Sequence, residues 1–364
     1  MKVGVLTYHD ELSQGATFQA YATYRALREL GCDVEVIDLH HINKSPRPKW
    51  QVILIDLYLA LSKYRQAKFR RIFYPPYSKH YNNLSELQKY PPAIDAACVG
   101  SDQTWNVSIA TKENMPAFFL DFGPSSLFRF SYASSFGYPR WQIEDSNETY
   151  RIGKILSNYV GLSVREVTGQ QILKEAFDID ATLVCDPTIL HSNYQEFTKG
   201  LKQKNEVVCY SLAVSSNLKL QAIKDISEFA GAPIRWLGKP FFVKGTRYTY
   251  FPDFYRWFRF IARSKYVLTD SFHGTVAALL CHKPFAVIYE ENGLSSRIVD
   301  LLTKVGLQDR IYFNYNDFSK SDAWRKPIDY EKVDVILEEY RKSSWNYLNG
   351  VIETIRITCN KLIK

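Results

Sequence analysis

"VGVLTYHDELSQGATFQAYATYRALRELGCDVEVIDL", residues 3–39, falls into three parts. "VGVLTY" is a short apolar run of the kind a buried strand needs. After the polar "HDELSQGAT", "FQAYATYRALRELG" puts Ala20, Tyr24 and Leu27 on one helical face and stops at Gly31. "DVEVIDL" reads as a second strand. Strand, helix and strand in this order predict a βαβ unit, and hence a parallel sheet.

The same grammar continues outward from this unit. "AIDAACVG" (93–100) and "RFSYASSFG" (129–137) read as strands. "YVGLSVRE" (159–166) leads into a helix, and "ATLVCDP" (181–187) follows as a strand. Pro187 and the polar "HSNYQEFTKGLKQKN" (191–205) read as a linker. Beyond it the strands "VVCYSLA", "PIRWLG", "YVLTD" and "PFAVIY" alternate with helices. In one of these, Phe254, Trp257, Phe258 and Ile261 follow the i, i+3, i+4, i+7 pattern. The chain ends in a long amphipathic helical region carrying Val333, Ile336, Leu337 and Tyr340. The expectation is an α/β protein of two Rossmann-like αβα domains facing a cleft. The domains are expected at 1–190 and 204–330, with helical residues 331–364 packing back on the first.

Composition bounds the function. Of 364 residues, 46% are hydrophobic and 23% charged, which fits a packed fold rather than a disordered one. The net charge of +8 suits anionic partners. No basic helix interleaved with base-stacking residues is seen, which speaks against nucleic acid. Aromatics reach 15%, mostly for the core, with some suited to stack on sugar rings. The six cysteines, at 32, 98, 185, 209, 281 and 359, form no CxxC pair and read as reduced thiols of a cytosolic protein. The histidines, the adjacent His40 and His41 included, show no metal spacing, so no metal is expected. The N-terminus reads as a strand and not as a signal peptide. "VILIDLYLALSKY" (52–64), interrupted by Asp56, is too short to span a bilayer. Lys63, Arg65, Lys68, Arg70 and Arg71 lie at or just beyond its end, so the segment reads either as a packed helix with a solvated basic end or as a contact for an anionic membrane.

In open parallel sheets ligands bind at the carboxyl ends of the strands, where helix N-termini favour anions. Four such places carry unusual polar residues. In "SQGAT" (13–17), Gly15 allows close backbone approach and Thr17 is a candidate cap; a plain turn and a ligand loop both fit. In "VGSDQTWN" (99–106), Gly100, Ser101, Asp102 and Gln103 suit either a capped turn or a polar ligand. Arg165 ends an apolar strand and must find an anion in Asp186, Glu166 or a substrate. Finally, in "LTDSFHGTVAALL" (268–280) a strand gives way to a helix at His273. Gly274 beside it leaves space, and a cationic His273 would bind phosphate or donate a proton. Arg297 enters a helix one strand later and is placed to reach the same cleft.

Taken together, "GSDQTWN", "SYASSFG", "SVRE", "CDPT", "TDSFHGTVAALL" and "KPF" resemble the polysaccharide pyruvyl transferase family. The likeness runs from "GATFQAYATYRAL" to "SSRIVDLL". It implies a glycosyltransferase-B-like fold and transfer of the enolpyruvyl group of phosphoenolpyruvate to two hydroxyls of one sugar, giving a cyclic ketal and phosphate. By that resemblance His273 would be the general acid and Asp102 a general base facing the acceptor. Arg165 and Arg297 would hold the donor, with Ser271, Gly274 and Thr275 beside them. Gly15, Gly100, Ser101 and Gln103 would lie on the acceptor side. Neither cofactor nor metal is implied; phosphoenolpyruvate is the donor substrate. Some ketal-forming bacterial members carry an arginine where Ser271 stands, so one anion contact is absent here or comes from elsewhere.

The expected setting is surface polysaccharide assembly, capsule or exopolysaccharide, in the cytoplasm or at the inner face of the membrane, with a saccharide acceptor that is free or lipid-linked. Two other readings compete. One is a glycosyltransferase of the same fold using a nucleotide sugar, for which Glu290 or Glu291 would bind the ribose. The other is a non-catalytic member that binds carbohydrate.

Overall fold

The computed structural model describes residues 1–9, 13–39, 60, 63–74, 76–212, 217–238, 245–250, 252–289 and 296–362. His40, His41, Glu290, Glu291 and most of the apolar run 52–64 lie outside them. Two parallel sheets carry the fold. The first has strands β1 (Lys2–Leu6), β2 (Asp33–Leu39), β3 (Tyr77–Tyr81), β4 (Ala96–Val99) and β5 (Phe128–Ser131), in the order β3-β2-β1-β4-β5. β6 (Ser163–Val164) and β7 (Thr182–Leu183) form a small parallel pair. It is linked to the first sheet through the bridge Ser134↔Val164. The second sheet has β8 (Val207–Tyr210), β9 (Ile234–Leu237), β10 (Arg247–Thr249), β11 (Tyr266–Thr269), β12 (Phe285–Ile288) and β13 (Ile311–Tyr312), in the order β10-β9-β8-β11-β12-β13. Every strand pair within the two sheets is parallel. The order reverses at β1 and again at β8, which puts a topological switch point in each sheet.

The central strands are apolar throughout, as parallel strands covered on both faces must be: β4 reads AACV and is wholly buried. The helix Gln14–Glu29 binds the two halves together. Its first ten residues are all buried, polar Gln14, Thr17 and Gln19 included, because it packs against helices from both sides. Phe18 lies 5.2 Å from Phe254, 5.6 Å from Phe258 and 5.2 Å from Tyr194 between ring centroids. Gln14 Nε2 donates to the Pro252 carbonyl at 2.5 Å. Ala20 and Leu27 of the expected face are buried, while Tyr24 is only partly so.

The long helix Tyr330–Leu362 returns to the first half as expected. Tyr347 donates its hydroxyl to the Ser131 carbonyl at 2.9 Å, Tyr340 donates to that of Val184 at 2.9 Å, and Arg356 donates to that of Leu30. The supposed linker after Pro187 is different from its reading. Asp186 caps a short helix, Pro187–Leu190, that packs on Gln14–Glu29, and Tyr194 and Phe197 are buried in the core between the halves. The polar composition of 191–205 hid these two anchors.

Candidate active site

The seam between the two sheets gathers most of the polar groups singled out in the sequence. Arg165 follows β6, and its side chain is almost wholly buried. Its Nη1 donates to Asp186 Oδ2 at 2.6 Å and to Ser101 Oγ at 3.1 Å, and Nη2 reaches Asp102 Oδ1 at 3.5 Å. Glu166 lies 3.7 Å from its Nε. Of the three anions expected for Arg165, Asp186 is therefore the principal one. The Asp186 carboxylate also accepts from Ser101 Oγ at 2.8 Å and from the backbone N–H and hydroxyl of Thr188. Burial pushes its pKa up, but Arg165, His273 and the Thr188 hydrogen bonds outweigh burial and hold it at about 2.

His273 stands in the first turn of Phe272–Leu280, directly after β11. Its Nε2 is buried, makes no hydrogen bond among the described residues, and lies 3.9 Å from Asp186 Oδ2. A buried polar atom left without a partner costs about 1–3 kcal/mol. Burial pushes the imidazole down, against the pull of the Asp186 and Asp102 carboxylates, to about 4. Burial outweighs the carboxylates and holds the imidazole below its ordinary range; the cationic form expected at this position needs the charge of a bound anion.

Phe272, beside it, holds two guanidiniums. Arg165 lies 5.2 Å and Arg297 5.9 Å from its ring centroid. Arg297 has no ion-pair or hydrogen-bond partner among the described residues. Burial pushes its pKa down, and repulsion from Arg165 adds to this. A cavity of about 470 Å³ opens here, lined by Arg165, Asp186, Phe272, Arg297, Lys304 and Tyr340. His273 is not in its lining, but its Nε2 lies 3.9 Å from the Oδ2 of Asp186, which is. The aromatic partner of both arginines was missed in the sequence, where Phe272 looks like core beside a histidine.

The remaining candidates are placed as follows. Gly15 lies against the imidazole: a Cβ there would fall inside van der Waals contact of His273 Nδ1. Ser13, not Thr17, caps the helix, accepting from Ala16 N at 3.3 Å. Gly100 faces Thr7, and Ser101 is wholly buried within the Arg165–Asp186 pair. Asp102 has φ +79°, a conformation costly for a non-glycine residue, and its Oδ1 accepts from Gln103 N at 2.9 Å. Gln103 accepts from Asn106 Nδ2 at 2.6 Å. Ser271 is the helix N-cap, accepting from Gly274 N, and Thr275 donates to the Ser271 carbonyl. The space expected beside Gly274 is not free. A Cβ there would collide with Thr269 Oγ1 and meet Tyr210 Cδ1 at 3.1 Å, so this glycine serves the packing of helix on sheet. One position further along the first sheet, Asp38 bridges His9 Nε2 at 3.2 Å and His80 Nδ1 at 3.0 Å, a cluster unnoticed in the sequence because its members are 29 and 42 residues apart.

Gly15→Ala is expected to displace the His273 ring and cut turnover at least about ten-fold, while the fold survives. Turnover compared with thermal stability in the same preparation checks this. A variant as active as the wild type would mean that the ring has room to move.

Comparison with known proteins follows the same line. The family model described as polysaccharide pyruvyl transferase matches residues 15–292. No curated protein matches the chain. Among solved structures, a putative UDP-N-acetylglucosamine 2-epimerase from Listeria monocytogenes is similar at TM-score 0.57 and 11% identity, over 97% of this chain and 96% of that one. The spinosyn forosaminyltransferase SpnP gives TM-score 0.53 and 10% identity over 98% and 99%. The UDP-GlcNAc 2-epimerase of Methanocaldococcus jannaschii, in complex with UDP-GlcNAc and UDP, gives 0.51 and 14% over 99% and 100%. At these identities the likeness concerns the fold, which is of the glycosyltransferase-B kind.

Proposed function

Because the chain belongs to the polysaccharide pyruvyl transferase family, we propose that this transferase of polysaccharide biosynthesis moves pyruvate from phosphoenolpyruvate to two hydroxyls of one sugar. The observation that supports this reading best is the nearness of Arg297, which makes no ion pair or hydrogen bond among the described residues, to His273, whose buried Nε2 has no hydrogen-bond partner among them. Both suit a small substrate with two anionic groups.

In this reading Arg297 takes one anionic group of the donor in a bidentate grip. Arg165, anchored by Asp186, adds positive potential and holds Phe272 in place. The donor's negative charge raises the His273 pKa, so the ring takes up a proton on binding. His273 then gives that proton to the methylene carbon. The electron-poor central carbon is attacked by one sugar hydroxyl, whose proton passes to Asp102. Loss of the phosphate breaks the carbon–oxygen bond to it, and the second hydroxyl closes the ketal, its proton passing to the His273 ring that the first step left neutral. His273 and Asp102 thus act at different stages, as general acid and general base. The acceptor would sit over Gly15 and Gly100 to Gln103, in capsule or exopolysaccharide synthesis on the cytoplasmic side.

Ligand-dependent melting tests the choice of donor, since a ligand that binds only the folded state raises the midpoint. Phosphoenolpyruvate at a hundred-fold excess over its Kd is expected to add about 2.7 kcal/mol of stability. A shift with nucleotide sugars and none with phosphoenolpyruvate would overturn the reading in favour of glycosyl transfer.

A further inference from the structure

The helical residues 63–73 carry a surface that the proposed chemistry does not use. One face packs inward through Gln66 and Phe69, which are buried. The opposite stripe, Tyr64, Ala67, Lys68, Arg71 and Ile72, follows helical spacing, and each of its residues is exposed. Tyr64 is 67% and Ile72 58% exposed, high values for apolar groups on a helix that has a core to face. No acidic residue occurs between 57 and 85. Arg65, Lys68 and Arg71 have no ion-pair partner among the described residues.

Beside this stripe lies a groove of about 470 Å³ whose floor is Phe69, Ile72 and Phe73 and whose rim includes Arg65, Lys68 and Arg256. The two carboxylates that also border it are engaged elsewhere. Glu196 accepts from Tyr21 and from Arg25, and Asp253 caps its own helix by accepting from Arg256 N. The surface is therefore both cationic and apolar.

We propose that this stripe and groove dock on an anionic lipid bilayer, with Tyr64 and Ile72 entering the headgroup region and Arg65, Lys68, Arg71 and Arg256 meeting lipid phosphates. Charge complementarity together with exposed apolar groups on one helix is the signature of an interfacial helix. Each Lys or Arg near an anionic leaflet raises partitioning by about five-fold. The docked face is also near the chemistry. Gln66 Nε2 donates to Thr17 Oγ1, and Tyr74 donates to the Thr17 carbonyl at 2.6 Å, on the same helix whose Gly15 holds His273. A membrane-borne acceptor would thus be presented one helix away from the cleft. The inference does not depend on which donor the enzyme uses.

Sedimentation of the full chain with vesicles tests it. Vesicles of equal parts phosphatidylglycerol and phosphatidylcholine are expected to retain the protein, and vesicles of phosphatidylcholine alone are not. About 1 M salt, where the Debye length falls to about 3 Å, should release most of it. Lys68→Glu with Arg71→Glu should reduce retention by at least about ten-fold. Tyr64→Ser with Ile72→Ser should reduce it several-fold, with unchanged melting in both double variants. No retention of the wild type, or retention unaffected by either double variant, overturns the proposal. Retention by heparin with no dependence on Tyr64 and Ile72 would assign a polyanion surface instead and overturn the bilayer.

Discussion

Asp186→Asn is expected to destabilise the protein by about 3–5 kcal/mol, the usual cost of leaving one member of a buried ion pair alone. The Asp186 carboxylate is the hub of the seam: it takes hydrogen bonds from Arg165, Ser101 and both donors of Thr188. The amide of asparagine would turn a donor toward one of these donors and leave the Arg165 guanidinium uncompensated. In a chain of this size the loss lowers the melting midpoint by roughly 5–10 °C, read by calorimetry. The pH dependence has a definite sign. A carboxyl held at about 2 in the fold and near 3.9 when unfolded stabilises fully above about pH 4. That contribution is lost as pH falls toward 2, so the wild type should lose stability in this window more steeply than the variant. Equal melting of the two proteins at pH 7 would show that Arg165 finds another anion, with Glu166 at 3.7 Å the nearest choice.

His273→Gln is expected to lower turnover by about 10²–10⁴-fold, the range for loss of a positioned acid or base. Glutamine keeps a polar group in the turn, and the cap by Ser271 is untouched. Folding should therefore be retained, and a melting midpoint close to that of the wild type is part of the expectation. If His273 is the general acid proposed above, the proton it donates is acquired on donor binding, since burial holds the ring below its ordinary range. The heat of binding at pH 7 should accordingly depend on the ionisation enthalpy of the buffer in the wild type and not in His273→Gln. A variant with full turnover would remove His273 from the chemistry.

The contrast between what was and was not legible in the sequence has a physical pattern. The βαβ unit at 3–39 could be read because its signals are local: an apolar run, a helical period, a glycine stop. The strand-end positions of Asp102, Arg165 and His273 followed from that, since a parallel sheet puts them all on its carboxyl edges. What depended on the packing of the two halves was not legible. The helix Gln14–Glu29 is amphipathic in its sequence, yet its first turns are buried between the two halves. Gly15 looked like any turn residue, and only the approach of His273 gives it a reason. Gly274 suggested room for a ligand, whereas Thr269 and Tyr210 fill that room. Phe272 appeared as one more apolar residue, and its two guanidinium neighbours come from segments 107 and 25 positions away. The helix N-terminus at His273 was legible in the sequence, but the depth at which the ring is buried was not.

In the proposed function phosphoenolpyruvate would bind at the seam through Arg297. Calorimetric titration of phosphoenolpyruvate into the wild type and into Arg297→Ala is the direct measurement. Arg297 makes no ion pair or hydrogen bond among the described residues, so its removal should leave the fold intact and weaken donor binding by at least about ten-fold, as expected when a charge-assisted contact is lost. Binding by the wild type that Arg297→Ala leaves unchanged would contradict the account, and so would a wild type that ignores phosphoenolpyruvate at millimolar concentration while binding a nucleotide sugar.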